Sequence, residues 1–506
     1  MPKQKTIIII TIILLLGVFL RFYHLGEPSF SADEFLDINS SYAFHKTGDW
    51  KSWDFNLGQV NAENEFAPRD ERAWAYKIQV AELFKFFPPT EGVARSISAL
   101  WGILTIALIY FVAERFTKSK TIGLISAFLF AVSLDGIEFD RKLRMYAMFF
   151  PVFLALSWTL WSAFEKEYAG KLKFAKTTWD KLSLNIFYLL PALILGALSI
   201  HLHLLTANIA FILTLYFLIL AFVRYKKQSG LNKYNAYLGI GALGILISLI
   251  AFGDKLKVAT KELGWGINHF SYLEKVFSDY SGFLLPLGLL LLGTYYLWKK
   301  VALPKESLWL TLSFWGTLLL AIFFWDRNVG NQYIFFVESF KIILLASGIY
   351  FVALFMKENL TKFSARAYWA SLIILLLLVP NYAFFFQKDN FYRQTSASEN
   401  PNYRKIFTYV KKKRGDQDIL ITRNFRSFYY SGLGVKVIDF GGERTKEKIT
   451  LERLETIMRE NPSGWIVLPE SDEIFVSKEA RDFMEKHLEK VSAPEVRGSV
   501  SVYRWQ

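Results

Sequence analysis

The chain is 506 residues long, 53% hydrophobic and 17% aromatic, and its 59 Lys+Arg against 45 Asp+Glu give a formal net charge of +14. A basic excess of this size points to nucleic acid or to a membrane surface. The runs Ile7–Leu20, Leu284–Leu292 and Leu372–Val379 are too long and uniform for core strands and exclude the first. Cysteine is absent, which rules out a disulfide framework, a thiolate metal site and a cysteine nucleophile.

Apolar stretches near the roughly 20 residues that cross a bilayer fall at about 6–24, 93–113, 121–138, 146–164, 184–200, 204–223, 234–252, 282–298, 307–325, 332–355 and 367–386. The sequence therefore predicts an α-helical polytopic membrane protein of about eleven spans. The first stretch has no small-residue cleavage site and runs from Phe19 into Arg21, Phe22, Tyr23 and His24, so it reads as an uncleaved anchor. Cations gather in alternate connections: Lys3/Lys5, Arg115–Lys120, Lys166–Lys181, Arg224–Lys233, Lys299–Lys305 and Lys357–Arg366. By the positive-inside rule the amino terminus is cytoplasmic, and an odd number of spans puts the carboxyl terminus outside.

Three outside segments stand out. Residues 21–92 hold twelve acids against seven bases. Residues 253–281 alternate charges with Trp265, Phe270 and Tyr272, as an amphipathic lid would. Residues 388–506 switch to the composition of a soluble domain. There Asp418–Thr422 and Gly464–Leu468 read as strands, and Tyr403–Lys413, Lys446–Glu460 and Lys478–Glu489 as helices. The predicted organisation is a membrane domain over 1–387, with 21–92 as its first outer loop, followed by a small α/β extracytoplasmic domain over 388–506. No internal repeat is visible.

Candidate chemistry starts at Ser31-Ala32-Asp33-Glu34, followed by Asp37. Carboxylates close to a membrane surface can act as general bases because desolvation and neighbours tune them; the plain alternative is a loop capping a helix that begins near Phe35. Glu63, Glu65, Asp70 and Glu71, interleaved with Arg69 and Arg72, form a second acidic set. It suits a shared substrate, a divalent metal held through oxygen, or surface ion pairs. Arg141 and Arg144, three apart and followed by Tyr146, offer forks for a phosphate at the bilayer edge, or else snorkelling anchors. His201 and His203 flank one short turn; one of them could complete a carboxylate metal site, or the two form a polar turn at the interface. Asp326 and Arg327 add polar groups, and Glu338 and Lys341 are spaced to pair inside the bundle. Walker A, G-x-G-x-x-G, H-E-x-x-H and G-x-S-x-G are all absent.

Read together, these residues resemble the GT-C superfamily of membrane glycosyltransferases. The likeness is to the family-39-type branch that holds the protein O-mannosyltransferases and the lipid A aminoarabinose transferase. Asp33-Glu34 after span one is similar to its acidic pair. Glu91-Gly-Val-Ala-Arg95-Ser-Ile-Ser-Ala-Leu-Trp-Gly102 resembles its entry to span two, and Arg141-Lys-Leu-Arg144-Met-Tyr146 its start of span four. Gln332-Tyr333 looks like its late Arg-Tyr helix with glutamine for arginine, and Pro401–Arg404 with Phe428–Tyr430 look like its outer carboxyl-terminal domain. The resemblance implies a polyprenyl-phosphate-linked sugar as donor and a protein, lipid or polysaccharide hydroxyl as acceptor. It implies inversion at the anomeric carbon, with Asp33 as base, Glu34 beside it, and Arg141, Arg144, Tyr146, Glu71, His201 and His203 around the substrates. The chain departs from the pattern before span two: Glu71-Arg-Ala73-Trp74-Ala-Tyr76 lacks the paired prolines of relatives, so a divalent metal on Glu71 and His203 is left open. The alternatives from other classes are a transporter or flippase of a lipid-linked molecule, and a membrane scaffold whose outer domain binds a partner.

Overall fold

A computed structural model gives the fold. It describes residues 3–60, 71–228, 232–244, 264, 268–301, 303–326, 329–360, 364–388, 390–393, 400–423, 426–440 and 449–506. Glu63, Glu65, Arg69, Asp70, Trp265, Arg327 and, of the segment 253–281, residues 253–263 and 265–267 lie outside the described residues. By contacts the chain divides into two units. One holds Met1–Arg21, Ala99–Asp140 and Tyr146–Tyr382; the other holds Phe22–Ser98, Arg141–Met145 and Ala383–Gln506.

The first unit is a bundle of apolar helices. Six are long and apolar enough to cross a bilayer: Gln4–Phe22, Glu91–Thr117, Tyr146–Glu165, Leu204–Lys226, Pro304–Phe324 and Asn331–Asn359. Two further spans are each built from a bent pair of helices, Lys120–Ala131 with Leu134–Asp140 at 61°, and Lys173–Leu182 with Ile186–Leu202 at 82°. The helices Leu284–Lys299 and Ala365–Leu378 are apolar but shorter. Of the stretch 234–252, residues 234–244 are helical and the rest lies outside the described residues. The protein is thus a helical polytopic membrane protein.

The first bend falls within the apolar stretch 121–138, and its physical cause is visible. A helix end inside a membrane leaves carbonyls that need donors. Arg21, fully buried, supplies them: its Nη1 donates to the carbonyl of Ala131 at 3.1 Å and its Nη2 to that of Phe130 at 3.3 Å, while its Nε meets Asp140 at 2.7 Å. The buried charge is thereby paired, and the chain restarts as Leu134–Asp140. Gly102 is required for this pair: a Cβ there would lie 2.2 Å from Asp140 Oδ2 and 2.6 Å from Arg21 Nε.

The second unit begins with helix Ala32–Thr47. Its start is fixed by a capping box in which Ser31 and Glu34 satisfy each other's backbone N–H groups. Gly48 ends it at φ 76°. A short hairpin pairs Trp53–Asp54 with Gln59–Val60, and helix Trp74–Leu83 follows. The carboxyl-terminal part of this unit carries a five-stranded mixed sheet. Ile419–Thr422 runs parallel to both Lys436–Asp439 and Gly464–Pro469; Val500–Trp505 is antiparallel to Gly464–Pro469 and to Glu489–Lys490. Helices Leu451–Glu460 and Lys478–His487 bury Leu454, Ile457, Ala480 and Met484 against Ile421, Ile466 and Tyr503 of the sheet. Helix Tyr403–Lys413 turns Tyr403, Ile406, Phe407 and Val410 inward, the three- and four-residue spacing of an amphipathic helix.

Candidate active site

The Ser31–Asp37 segment folds as the first turn and a half of a helix, and helical geometry separates its acids. Glu34 is buried, and its two oxygens are fully engaged. Oε1 accepts from Arg95 Nε at 2.8 Å and from the Leu143 N–H at 2.7 Å. Oε2 accepts from Arg95 Nη2 at 2.8 Å and from the Ser31 N–H at 2.8 Å. Burial alone would raise the carboxyl. The charge and hydrogen bonds of Arg95, with the two N–H groups, outweigh burial and hold it below the ordinary glutamate value. The remaining donors of Arg95 go to the carbonyls of Leu25, Pro28 and Ser29. Glu34 and Arg95 therefore knit the segment Leu25–Ser29 to helix Ala32–Thr47.

Asp37, one turn on, is also buried and accepts from Arg144 Nη1 at 2.9 Å. The same nitrogen donates to the main-chain carbonyl of Asp33 at 2.9 Å, and Nη2 lies 3.8 Å from the Asp33 carboxylate. Asp33 differs from both neighbours: its side chain is 64% exposed. Three acids within five residues thus divide into two locked struts and one accessible carboxylate steadied by an arginine.

Arg141 is buried and committed within the same unit. It donates to the carbonyls of Tyr23, His24 and Phe391, and its guanidinium lies 4.4 Å above the Tyr392 ring. Arg144 is likewise turned onto helix Ala32–Thr47, so both forks are engaged with the protein itself. Glu71 is exposed just before helix Trp74–Leu83, in which Tyr76 and Lys77 are fully buried. The Tyr76 hydroxyl is 2.6 Å from Ser98, and burial pushes the phenol well up. The Lys77 ammonium lies 5.2 Å from the Trp50 ring.

Tyr146, His201 and His203 belong to the first unit. Tyr146 opens helix Tyr146–Glu165 with its ring 5.4 Å from that of His203. His203 ends helix Ile186–Leu202 in an extended conformation, and its Nδ1 accepts the Leu205 N–H at 3.1 Å. Among the described residues, the one group of acids close enough to share a cation is Asp135, Asp279 and Glu338, also in the first unit; neither Glu71 nor His203 belongs to it. Glu338 pairs with Lys341, as their spacing predicts, and Lys341 also lies 3.9 Å from Asp279.

Sequence reasoning did not assign roles to Asp37, Arg95 or Lys77. Arg95 stood inside a recognised motif, and Asp37 is one helical turn from Asp33; these were the available signals. The burial of Lys77 had none.

No protein-family profile matches the chain, and no curated protein matches it by sequence. Solved structures do match. ArnT from Cupriavidus metallidurans bound to undecaprenyl phosphate aligns with a TM-score of 0.51 at 10% identity, covering 100% of this chain and 98% of that one. The Archaeoglobus fulgidus oligosaccharyltransferase tethered to an acceptor peptide aligns at 0.55 and 12% identity, covering 92% and 69%. The archaeal oligosaccharyltransferase AglB of the same organism, in complex with an inhibitory peptide and a dolichol-phosphate, aligns at 0.53 and 11%. At such identities the likeness is one of architecture: the chain shares the fold of ArnT and of the archaeal oligosaccharyltransferase.

Proposed function

We propose that the protein is an inverting glycosyltransferase that moves a monosaccharide from a polyprenyl-phosphate donor to an acceptor hydroxyl at the outer face of the membrane. The observation that carries this reading is the exposed Asp33 carboxylate, held by Arg144 beside two buried, fully engaged acids. A general base must be reachable and steady, and Asp33 is both. In the reaction Asp33 takes the proton of the acceptor hydroxyl, and that oxygen attacks the anomeric carbon. The bond from that carbon to the phosphate oxygen breaks, with its electron pair leaving on polyprenyl phosphate. Glu34, Arg95 and Asp37 act as positioning residues, and Arg144 orients Asp33 by its contact at the carboxylate. Arg141 and Arg144, cations beside this helix, are proposed to offset the charge of the leaving phosphate. The fold supports the reading, because ArnT with bound undecaprenyl phosphate and AglB with dolichol-phosphate share it.

The proposed topology is eleven spans, counting the six long helices, the two bent pairs, the two shorter apolar helices and the stretch 234–252. The amino terminus is cytoplasmic. Residues 1–387 form the membrane domain, and 388–506 lie outside.

A specific observation favours a second reading, a transporter or flippase of a lipid-linked molecule: Asp135, Asp279, Glu338 and Lys341 gather ionisable groups inside the bundle. One experiment separates the two. The purified chain in liposomes is given radiolabelled polyprenyl-phosphate sugars, and release of polyprenyl phosphate is measured in wild type and Asp33→Asn. Sugar release that the variant abolishes supports the transferase; movement across the bilayer without release, unchanged in the variant, supports the transporter.

A further inference from the structure

Residues 166–183 carry five lysines against two acids, and ten of them form the helix Lys173–Leu182. At about 100° per residue these ten divide into two sides. Lys173, Lys176, Thr177, Asp180 and Lys181 fall on one, and Phe174, Ala175, Thr178, Trp179 and Leu182 on the other. All three lysines of the polar side are exposed. The protein covers only part of the apolar side. Ala175 is buried and Trp179 half-buried, whereas Phe174 and Leu182 are 57% and 58% exposed, as is 49% of the preceding Leu172.

The helix meets Ile186–Leu202 at 82°, and the bend is held from both sides. Ser183 ends the first helix in a left-handed backbone at φ 51°, its N–H donating to the Trp179 carbonyl at 2.7 Å. The hydroxyl of Tyr237 reaches the carbonyl oxygens of Leu182 and Ser183 at 2.5 and 3.1 Å, serving a helix end that lacks donors. Beyond the bend, buried Asn185 accepts the Phe187 N–H at 3.2 Å and so caps the second helix. Its Nδ2 donates to the Lys166 carbonyl at 3.0 Å and its N–H to that of Ala163 at 2.8 Å. Of this bent pair, Ile186–Leu202 is the arm that crosses: its 17 residues include no Asp, Glu, Lys or Arg. With that arm along the bilayer normal, the bend lays Lys173–Leu182 nearly in the plane of the interface.

We propose that Lys173–Leu182 is an interfacial helix that binds anionic phospholipid. Phe174 and Leu182 enter the acyl boundary, Trp179 sits at headgroup depth, and Lys173, Lys176 and Lys181 meet the headgroup phosphates. Three residues, 183–185, tie the helix to an arm whose Phe187, Leu190, Leu193 and Ile194 are themselves exposed as lipid-facing side chains. The apolar phase that covers Phe174 and Leu182 is therefore always within reach, and a soluble partner must compete with it. A zwitterionic leaflet would cover the apolar side equally well; the lysines are what select anionic headgroups. This inference goes beyond the glycosyltransferase reading and does not rest on it. Only the leaflet, the cytoplasmic one, follows from the proposed topology.

The chain has no cysteine, so single cysteines report depth. Phe174→Cys, Leu182→Cys and Lys176→Cys, each in the full chain in vesicles of phosphatidylcholine and phosphatidylglycerol, are spin-labelled. Relaxation of each label by oxygen is compared with relaxation by a water-soluble nickel chelate. The first two labels are expected to favour oxygen, which concentrates among acyl chains, and the third the chelate. Equal chelate access at all three overturns the proposal and leaves the apolar side to a soluble partner. For the headgroup, spin-labelled phosphatidylglycerol and phosphatidylcholine are compared for the share that the chain holds immobile. The wild-type preference for phosphatidylglycerol is expected to fall severalfold in Lys173→Gln/Lys176→Gln/Lys181→Gln, by up to about fivefold for each lysine, and to shrink in wild type as salt is raised. Arginine at the same three positions is expected to keep the preference. An unchanged preference in the glutamine variant overturns the headgroup assignment even where Phe174 and Leu182 lie in lipid, and so does an equal loss in the arginine variant.

Discussion

Glu34 and Arg95 meet fork to fork, with Nε on one carboxylate oxygen and Nη2 on the other, each at 2.8 Å, across 61 residues of sequence. Both side chains are almost wholly buried. A buried pair of this kind is weak evidence of net stabilisation, but breaking it leaves one charge uncompensated at a cost of about 3–5 kcal/mol. Glu34→Gln should therefore lower the thermal midpoint sharply, and Glu34→Gln with Arg95→Met should recover part of the loss. The pH dependence has a definite sign. The Glu34 carboxyl is held below its unfolded value of about 4.5, so its contribution is fully present above that pH and drains away as pH falls further. Acid unfolding curves of wild type and Glu34→Gln should converge below pH 4.5; parallel curves throughout that range would contradict this account.

Asp33 should behave in the opposite way. Its carboxylate is largely exposed and makes its nearest charged contact at 3.8 Å, so Asp33→Asn removes little packing and should leave stability within about 0.5 kcal/mol of wild type. The proton-transfer role assigns the residue a rate contribution of about 10²–10⁴-fold. Sugar release measured beside thermal unfolding reads both quantities. A variant that transfers at the wild-type rate removes Asp33 from the chemistry.

The contrast between these two adjacent residues shows where sequence is informative and where it stops. The pair Asp33-Glu34 stood out in the sequence as a candidate, because it follows the first span and the motif around Arg95 accompanies it. Which acid is reachable was not, because the partners of Glu34 lie 61 and 109 positions away. Helix Tyr403–Lys413 was legible from its periodicity, and strands Ile419–Thr422 and Gly464–Pro469 as short apolar runs buried at every position, since both signals are local. The break at Ala131 was hidden, because an arginine 110 residues earlier satisfies its carbonyl.

Helices Leu284–Lys299 and Glu338–Asn359 approach closely enough that two glycines are obligatory. A Cβ on Gly348 would stand 1.8 Å from the Leu289 carbonyl oxygen, and one on Gly293 1.8 Å from that of Leu344. Small residues let backbones come into contact where lipid gives no hydrophobic drive to association. The obstacle in each case is main chain, which cannot rotate away. Gly348→Ala should cost about 1–3 kcal/mol or more as overpacking, and Gly293→Ala a similar amount, while Gly288→Ala, with open space around it, serves as the neutral control. Thermal unfolding in a single detergent ranks the three; equal midpoints for Gly348→Ala and Gly288→Ala would refute the close approach.

Among the described residues of the bundle, Lys341 is the cation that faces the acid group of Asp279 and Glu338. Its ammonium pairs with Glu338, lies 3.9 Å from Asp279 and donates to the Val276 carbonyl at 2.6 Å. It also sits 4.7 Å from the Tyr280 ring, whose quadrupole adds to its stabilisation. Asp279 accepts from the Ser133 hydroxyl and the Asp135 N–H at 2.7 and 2.6 Å, so one carboxylate ties the second half of a bent span to the segment before helix Leu284–Lys299. Lys341→Met removes the positive charge and leaves the carboxylates to repel each other, at a cost of about 3–5 kcal/mol by the rule for broken buried pairs. Glu338→Gln on that background removes part of the repulsion, so the double variant should be more stable than Lys341→Met alone. A double-mutant cycle on unfolding free energy measures the coupling, and strictly additive effects would show that Lys341 and Glu338 do not act as a pair.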